Sequence, residues 1–406
     1  MPFNILNIYL ELKARPLKKA ATAPSQIPAL KLCIDASNIR GGGGLTHLIE
    51  FLLVAKPLEF GFSKVVLWAS KATLAAIGQQ PWLDKRHDTV LDGNYLRRAF
   101  WQKYHLGKIA KKERCDLLYV PGGAFTTSFR PIVTMNRNLL PFDRKELLRY
   151  GISLTTLRLL VLRFVQSRSI KRANGTIFLT DYAKKVVLPQ VGFSADAVVI
   201  PHGIDKRFFC KPRIHRSLEE CTNTNPLRLV YVSIVDVYKH QCEVAEAVAM
   251  LRAQGLPVVL DLIGPAYAPS LNTLQRTLDR IDGNGETIRY HGAMPYAQIQ
   301  SAYRDADLAI FASSCETFGQ IVTEYMAAGL PIACSSRSAM PELLGDSGLY
   351  FDPEDPKDIA RTLIEYIMSP ELREEKAEMS YRRSHEFSWE RCAAETFAFL
   401  SKLAKQ

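Results

Sequence analysis

The sequence lacks the signatures of several protein classes. Its eight cysteines form no C-x-x-C pair, which predicts neither a zinc site nor a disulfide framework and fits a reducing cytosol. No apolar run approaches the ~18–20 residues of a membrane span, so no transmembrane helix is predicted. RNP, zinc-finger and other nucleic-acid signatures are missing too, which argues against a nucleic-acid partner. The 406 residues, 47% of them hydrophobic, therefore indicate a globular protein long enough for two domains.

Residues 1–27 predict a leader that is disordered or amphipathic. Its first residues are apolar, and a basic group from Lys13 to Lys19 comes after them. A secretory signal has its charges before the apolar stretch and a small-residue cleavage site after it. We therefore predict no secretory signal, which leaves a cytoplasmic location as the expectation.

The net charge of +11 is unevenly distributed. Residues 1–205 carry 30 Lys and Arg against 14 Asp and Glu, whereas residues 206–406 carry 22 against 27. A basic half joined to a mildly acidic half predicts that the basic half meets an anionic partner. With nucleic acid ranked last, the candidates are a phosphate-bearing acceptor and the inner face of an anionic membrane, where the protein would be peripheral.

Short apolar runs alternate with helical patterns along the chain. Such alternation predicts parallel sheets covered by helices on both faces, and the polar, proline-containing stretch 206–226 predicts a domain boundary. We therefore predict an α/β fold of two doubly wound, Rossmann-like domains, 28–205 and 206–387, that face a cleft. A last helix, 388–406, is expected to pack back on the first domain. The predicted strands are Lys31–Asp35, Lys64–Ala69, Asp116–Pro121, Pro131–Met135, Gly175–Leu179, Ala197–Pro201, Arg228–Val232, Pro257–Ile263, Thr287–His291, Leu308–Ala312 and Pro331–Cys334.

One segment, 144–172, is rich in Leu, Val and Phe with arginines interleaved. At ~100° per residue, Arg158, Arg163 and Arg168 point in three directions around a helix and form no single basic stripe. A helix packed in the domain with arginines at its rim is therefore favoured over a helix that lies in a membrane surface.

Four glycines, 41–44, follow the first predicted strand and precede a predicted helix, Leu45–Leu53. A glycine run at this place lets the backbone approach a phosphate, although a flexible loop is about equally expected. The run is not the dinucleotide fingerprint, because G-x-G-x-x-G fails at Thr46 and His47.

The most informative stretch is 308–334, which predicts a strand, a polar loop, a helix and a second strand. Glu316 lies in the loop and Glu324 in the helix, roughly 10 Å apart along the axis at ~1.5 Å per residue. Two carboxylates that act on one glycosidic bond lie closer, roughly 5–9 Å apart. The pair therefore predicts contacts with two ends of one elongated ligand, and the helix N-terminus between them suits a phosphate.

No metal site is predicted. Asp305 and Asp307 form a D-x-D pattern, but they precede a strand instead of following one into a ligand site. The histidines at 47, 105 and 240 have no ligand spacing with cysteines or carboxylates. His202 lies in a predicted turn, where a local backbone hydrogen bond is expected. Each of these histidines is therefore predicted to be structural or on the surface.

In this order the motifs resemble the retaining GT-B glycosyltransferases of family 4 over roughly residues 197–395. The family's motif of two glutamates separated by seven residues is matched by Glu316 and Glu324. The first half matches only in outline. Further matches are Pro201-His202-Gly203-Ile204-Asp205, Tyr238-Lys239-His240, Asp307, Ala327-Ala328-Gly329-Leu330-Pro331, Pro341-Glu342 and Phe387-Ser388-Trp389.

The resemblance implies a retaining glycosyltransferase that moves a sugar from a nucleotide-diphosphate sugar to a hydroxyl of a glycan or lipid-linked glycan, as in cell-surface polysaccharide or lipopolysaccharide biosynthesis. The nucleotide sugar is a substrate, and neither a cofactor nor an obligatory metal is implied. By resemblance, Glu316 and Lys239 would be catalytic and Glu324 would bind the ribose hydroxyls. The other donor-binding residues implied are Thr317, Phe318, Gly319, Ser233, Gly42, Gly43 and Gly44.

Two departures from the family pattern leave alternatives open. Ile234 stands where the family often has an arginine, and the stretch 119–123 lacks the family's histidine. Asn136, Arg137 and Asn138 follow the next strand and are the predicted acceptor-side contacts instead. The alternatives are an epimerase or hydrolase on the same fold and a non-catalytic protein that binds a nucleotide sugar.

Overall fold

Two parallel β-sheets organise the chain. In this computed structural model the described residues are 29–192 and 196–406, so the predicted leader 1–27 lies outside them. The first sheet has seven strands in the order β3-β2-β1-β4-β5-β6-β7, and the second has six in the order β10-β9-β8-β11-β12-β13. Neighbouring strands pair in parallel throughout, which confirms the predicted α/β class with two doubly wound units.

The strands are short and mostly buried. All residues of β4, β5, β6, β11 and β12 are buried, as expected of central strands with helices on both faces. The first sheet contains β1 (Leu30–Asp35), β2 (Phe62–Trp68), β3 (Leu83–Arg86), β4 (Leu117–Val120), β5 (Ile132–Met135), β6 (Gly175–Phe178) and β7 (Asp196–Val199). The second contains β8 (Leu227–Val232), β9 (Val258–Ile263), β10 (Ile288–Tyr290), β11 (Leu308–Phe311), β12 (Ile332–Ser335) and β13 (Leu349–Phe351).

Helices connect the strands and cover the sheets. A π-helical segment, Gln102–Leu106, joins α3 to α4. Around the first sheet the helices are α1 (Gly42–Val54), α2 (Lys71–Ala76), α3 (Tyr95–Trp101), α4 (Gly107–Lys112), α5 (Arg144–Leu148), α6 (Leu154–Arg172) and α7 (Asp181–Val191). The later helices are α8 (Gln241–Ala253), α9 (Ala268–Ile281), α10 (Tyr296–Asp305), α11 (Gln320–Ala327), α12 (Met340–Leu344), α13 (Pro356–Met368), α14 (Pro370–Ser384) and α15 (Trp389–Ala404).

The strand order determines where a ligand site can form. In each sheet the chain builds outward from a central strand and then returns to build the other side, so the order reverses between β1 and β4 and between β8 and β11. Loops at the carboxyl ends of such strands diverge and leave a crevice. The glycines 41–44 follow β1, and loop 313–319 follows β11.

Two local predictions in the first half need correction. The glycine run is not a separate loop, because α1 begins at Gly42 and contains three of the four glycines. Buried Leu48, Phe51 and Leu52 hold this helix against the core, which outweighs the low helix propensity of glycine. The sequence analysis also missed β3, an edge strand whose residues are mostly polar and therefore show no apolar run.

Helix α6 packs on the domain by one side and leaves another side exposed. The segment 144–172 forms α5 and α6, and α6 turns residues such as Leu159 and Ile170 inward while Arg158 and Arg168 are exposed, in agreement with the favoured interpretation. The interpretation did not foresee that several apolar side chains of α6 would also be exposed. None of the described helices is both long and apolar enough to span a bilayer. The exposed side, which we name the apolar α6 face, consists of Leu154, Leu157, Leu160, Val161 and Phe164.

One cysteine pair is disulfide-bonded, which the cysteine spacing did not indicate. Cys33 in β1 and Cys115 before β4 are disulfide-bonded, with Cα atoms 5.9 Å apart. Because β1 and β4 are neighbours in the sheet, cysteines separated by 82 residues meet there, which local spacing could not indicate.

Helix α15 returns the chain to the first sheet. Phe397 of this helix stacks on Phe51 of α1, with ring centroids 5.2 Å apart. At its start the backbone of Trp389 lies so close to Gly203 that a Cβ there would be 2.1 Å from the Trp389 nitrogen. A glycine is therefore required where the chain leaving the first sheet touches the chain coming back to it.

Candidate functional site

Loop 313–319 turns sharply into helix α11 and sets the position of Glu316. Gly319 has φ +87°, which favours glycine, and a Cβ there would lie 2.5 Å from Cε of Met340. The loop is also fixed by Ser338, whose hydroxyl accepts from the Glu316 backbone nitrogen at 2.7 Å and donates to the Glu316 carbonyl at 2.8 Å. Gly329, with φ +66°, follows the last turn of the helix as predicted.

Glu324 is a buried carboxyl group inside α11. The hydroxyls of Tyr296 and Tyr303 each donate to it, at 3.0 Å. Burial raises the pKa of Glu324 to about 7, although the two tyrosine hydrogen bonds act in the opposite direction. The carboxyl group therefore changes its charge close to neutral pH, and each oxygen retains a further lone pair for another donor.

Lys239 and Glu316 form an ion pair at the carboxyl ends of β8 and β11. Lys239 is buried, and its backbone carbonyl accepts a hydrogen bond of 2.6 Å from the hydroxyl of Tyr231 in β8. The ammonium also lies 5.0 Å from the ring centroids of Tyr238 and Phe311. The cation is thus held on a fixed loop beside one carboxylate, and an anionic ligand could compete for it.

Side chains of the first half face this loop from the opposite side. His47 of α1 stacks on His202, with ring centroids 4.6 Å apart. Burial, assisted by the nearby Arg137, lowers the pKa of His202 to about 3, and burial also holds the pKa of His47 well below its ordinary value. Both rings are therefore neutral at physiological pH, and they present polar nitrogens without adding positive charge.

Arg137 is the cation that the first half contributes. Its guanidinium lies against α1, where a Cβ on Gly44 would be 2.8 Å from Nη1. Burial lowers its pKa to about 10, so it stays protonated at neutral pH. Its Nε atom is buried without a hydrogen-bond partner, and no carboxylate of the described residues forms an ion pair with it. The Arg137 carbonyl accepts from the Thr317 hydroxyl at 3.3 Å, which links the two halves.

These groups line one cleft of about 540 Å³ between the two halves. That volume is in the range of pockets that hold small molecules. Both Glu316 and Glu324 line it, together with the N-terminus of α11 and the first turn of α1. The lining residues are Gly42, Gly43, Leu45, Thr46, His47, Ile49, Arg137, Leu179, His202, Tyr296, Glu316, Thr317, Phe318, Gly319, Gln320, Ile321, Glu324 and Trp389.

Most of the residues singled out in the sequence line this cleft, but five do not. The Ser233 hydroxyl donates to the Ile234 carbonyl at 2.9 Å and accepts from Gln241 at 2.9 Å. Asn136 is buried, while Gly44 and Asn138 line a neighbouring cavity. Lys239 does not line the cleft itself, but it pairs with Glu316, which does.

Other cleft residues were missed by sequence reasoning. Tyr296 and Gln320 carry no motif, and the histidines 47 and 202 were predicted to be structural or on the surface. His202 is buried, and its Nε2 has no partner among the described residues. A possible signal for His47 was its place on the helix that follows the glycine run, facing the same crevice.

The described residues contain no group of three or more metal-ligating side chains. Asp307 of the D-x-D pattern is instead bound by Arg213 and Arg216, each at 2.9 Å, and it accepts from the Arg228 backbone nitrogen at 2.9 Å. The Asp307 carboxylate therefore serves to hold the second sheet to the segment before it.

Comparison with known proteins places residues 217–383 in the family described as glycosyl transferases group 1. The chain is 32% identical over 109 residues to O-antigen chain mannosyltransferase B of Escherichia coli, covering 27% of this chain and 29% of that protein. It is 26% identical over 243 residues to the GDP-mannose-dependent alpha-(1-6)-phosphatidylinositol dimannoside mannosyltransferase of Mycobacterium tuberculosis, covering 59% and 61%. The chain thus spans less than two thirds of the length of these curated relatives.

Solved structures agree with the fold over nearly the whole chain. HepE of Anabaena in complex with UDP and glucose superposes with a TM-score of 0.66 at 19% identity, covering 92% of this chain and 100% of that one. Sucrose-phosphate synthase of Thermosynechococcus elongatus superposes with a TM-score of 0.70 at 16% identity, covering 92% and 99%. At this level of identity the likeness concerns the two-domain fold.

Proposed function

We propose that this chain, whose residues 217–383 match the glycosyl transferases group 1 family and whose fold is shared with the solved structures named above, transfers a sugar from a nucleotide-diphosphate sugar to a hydroxyl of a glycan or lipid-linked glycan. Cell-surface polysaccharide or lipopolysaccharide biosynthesis is the proposed setting, since relatives named above act on an O-antigen chain and on a phosphatidylinositol mannoside. The proposed domains are 28–205, together with 388–406, on the acceptor side and 206–387 on the donor side.

The observation that carries the proposal is the arrangement of two carboxyl groups along one cleft, with a lysine paired to one of them. Glu324 lies within α11, Glu316 lies in the loop before it, and Lys239 pairs with Glu316. A nucleotide sugar has the same order of parts, with ribose, diphosphate and hexose in a line. Glu324 would accept from the ribose hydroxyls, and the free N–H groups at the start of α11 would meet the diphosphate. Glu316 would face the sugar.

Lys239 is proposed to stabilise the departing diphosphate. Cleavage of the bond between the sugar and the diphosphate leaves additional negative charge on the leaving oxygen, so a fixed cation there stabilises the transition state more than the ground state. The unpaired Arg137 and the N-terminus of α1 would add positive potential from the other side of the cleft. We propose that transfer retains the anomeric configuration, which proton NMR of the product can determine.

Nucleotide binding tests the proposal directly. UDP or GDP is expected to raise the melting temperature, and Glu324→Gln is expected to weaken binding roughly 10- to 100-fold, because a charged acceptor of ribose hydroxyls is lost. Because its pKa is about 7, Glu324 gains charge between pH 6 and pH 8. Nucleotide affinity should therefore rise over that range in the natural protein and stay flat in Glu324→Gln.

The unliganded protein should show the opposite pH trend. Since folding raises the pKa of Glu324, the folded chain holds a proton that the unfolded chain has released. The stability that this group contributes is present at low pH and is lost as pH rises through about 7. Glu342→Gln is a suitable control, because that carboxylate caps α7 outside the cleft through the nitrogens of Asp181 and Tyr182.

If neither UDP nor GDP shifts the melting temperature, the proposed donor class is wrong.

We further propose that the protein works at the inner surface of an anionic membrane. The first half is strongly basic, and the apolar α6 face is exposed on it, with Leu154 86% and Phe164 69% accessible. Exposed apolar side chains among basic ones are suited to the boundary between headgroups and acyl chains. A lipid-linked acceptor would be met at that boundary.

Vesicle co-sedimentation tests the membrane contact. The protein should sediment with vesicles of phosphatidylglycerol and phosphatidylcholine, less with phosphatidylcholine alone, and less at high salt. The double variant Leu157→Ser/Phe164→Ser is expected to reduce the bound fraction several-fold, since it removes buried apolar area. Met368→Ser, an equally exposed apolar residue on the second half, should leave binding unchanged. If the fraction of protein that sediments with vesicles changes neither with anionic lipid nor with salt, the proposed membrane contact is wrong.

A further inference from the structure

A second cavity of about 620 Å³ lies within the first half, next to the cleft. It is bounded by the loop after β1, by α3 and by α6, and four arginines line it. None of the residues that line it is an aspartate or a glutamate. The arginines are Arg40, Arg98, Arg137 and Arg158.

The arginines of this cavity, which we name the arginine cavity, form no direct ion pair with the described residues, although Asp35 lies close enough to Arg98, and Asp92 to Arg40, for electrostatic attraction. Arg40 and Arg98 donate to backbone carbonyls, of Gly93 at 2.9 Å and of Ser37 at 3.0 Å, and not to carboxylates. No ion pair within 4 Å involves any of the four among the described residues. The Nε atoms of Arg98 and Arg137 are buried without a partner. Arg40 and Arg158 are exposed to solvent, so the buried guanidinium of Arg137 is the one that would gain most from an anionic ligand.

The wall formed by α6 is mixed. Val161, Leu162 and Val165 line it together with Arg158 and Gln166, and Val161 belongs to the apolar α6 face. The cavity therefore offers arginines and an adjoining apolar strip, and the strip continues through Val161 onto the surface of the protein. A simple phosphate ion would use only the arginines, whereas an amphiphile with a charged head would use both.

The arginine cavity also adjoins the cleft. Arg137 lines both, and the glycine run separates them, since Gly43 lines the cleft while Gly41 and Gly44 line the cavity. A ligand whose phosphate meets the arginines would therefore project the group beyond that phosphate toward Glu316 and Lys239. The hydroxyl that receives a sugar would have to lie there.

We propose that the arginine cavity binds the phosphate of an amphiphilic acceptor, a lipid-linked glycan, whose apolar chain lies along α6. This inference rests on the proposed transferase function and specifies its acceptor. The phosphate would be shared by Arg137 and Arg158, and the chain would leave over Val161 toward the membrane. The protein would thus recognise its acceptor by the lipid phosphate as well as by the glycan.

Binding of a short amphiphile to the full chain tests the proposal. Geranyl phosphate should bind at least about tenfold more tightly than inorganic phosphate, because the prenyl chain buries apolar area that phosphate lacks. Arg158→Gln should weaken geranyl phosphate binding by about tenfold through loss of a charge-assisted contact. Arg163→Gln is the matched control on the same helix, since Arg163 donates to Gln190 and does not line the cavity.

Titration with UDP present separates this proposal from the proposed function. Geranyl phosphate binding should persist at saturating UDP, and UDP affinity should be the same in Arg158→Gln as in the natural protein. Displacement of geranyl phosphate by UDP would overturn the assignment, as would equal binding by the two arginine variants. Equal affinities for inorganic phosphate and geranyl phosphate would contradict the proposal that the ligand of the cavity is amphiphilic. If UDP does not bind but the arginine-dependent binding of geranyl phosphate stands, the donor proposal fails and the cavity assignment remains.

Discussion

Replacement of Lys239 by glutamine is expected to lower the turnover number by about 10²–10³-fold at saturating donor, the scale of losing one preorganised electrostatic contact to a transition state. Lys239 is buried, is held by Tyr231 through its carbonyl, and is paired with Glu316 on the wall of the cleft. Glutamine keeps most of the side chain's length and a hydrogen-bond donor but removes the charge. Release of nucleoside diphosphate, measured in initial-rate assays with a glycan or lipid-linked acceptor, gives the turnover number.

Two further variants show whether the charge acts on the ligand or only on its neighbour. If Lys239 served merely to neutralise Glu316, the double variant Lys239→Gln/Glu316→Gln would be no slower than Glu316→Gln alone; we expect it to be slower. Lys206→Gln is the matched lysine control, because Lys206 pairs with Glu390 on the surface. Natural turnover in Lys239→Gln would remove the lysine from the proposed mechanism.

Replacement of Gly203 by alanine is expected to lower the free energy of unfolding by about 3 kcal/mol or more, at or above the upper end for overpacked sites. The added Cβ would lie 2.1 Å from the Trp389 nitrogen, 2.5 Å from the Ser388 carbonyl carbon and 2.6 Å from the Trp389 Cα. These are backbone atoms, so no side-chain rotation relieves the overlap. Urea denaturation followed by Trp fluorescence measures the change.

Gly78→Ala provides the control for this prediction. Nothing lies within 4 Å of a Cβ at Gly78, and its φ is not in the left-handed region. Its free energy of unfolding should stay within about 0.5 kcal/mol of the natural value, as for surface changes generally. If Gly203→Ala changed the free energy of unfolding as little as Gly78→Ala, the backbones at Gly203 and Trp389 would be farther apart than they are in the structure.

The fold and much of the cleft could be predicted because they depend on local patterns. Buried strands such as β11 and β12 appear as short apolar runs, and the change from strand to helix around Glu316 is marked by Gly319 and Gly329. Glutamates placed on such a unit have their separation determined by helix geometry. For the same reason Glu316 and Glu324 could be expected along one crevice, and both line the cleft; that one elongated ligand contacts both stays a prediction.

What could not be predicted depends on contacts between distant residues. Cys33 and Cys115 meet only because β1 and β4 are neighbours, and the His47–His202 stack joins α1 to the segment that leaves the first sheet. The apolar α6 face was not foreseen because apolar residues occur on more than one side of α6, so the sequence does not show which side is buried. The lack of an ion-pair partner for Arg137 among the described residues is likewise a property of the assembled cavity and not of its sequence neighbours.

The contact between Gly203 and Trp389 also constrains how the two halves can move. The chain crosses from the first sheet to the second after β7 and crosses back before α15, and the two crossings touch at this point. Because the two crossings are the covalent links between the halves and touch each other at one place, they allow rotation of the halves about a single axis and resist sliding and twisting. The cleft would then open and close along one path, and each closure would return Arg137 to the same position opposite Glu316.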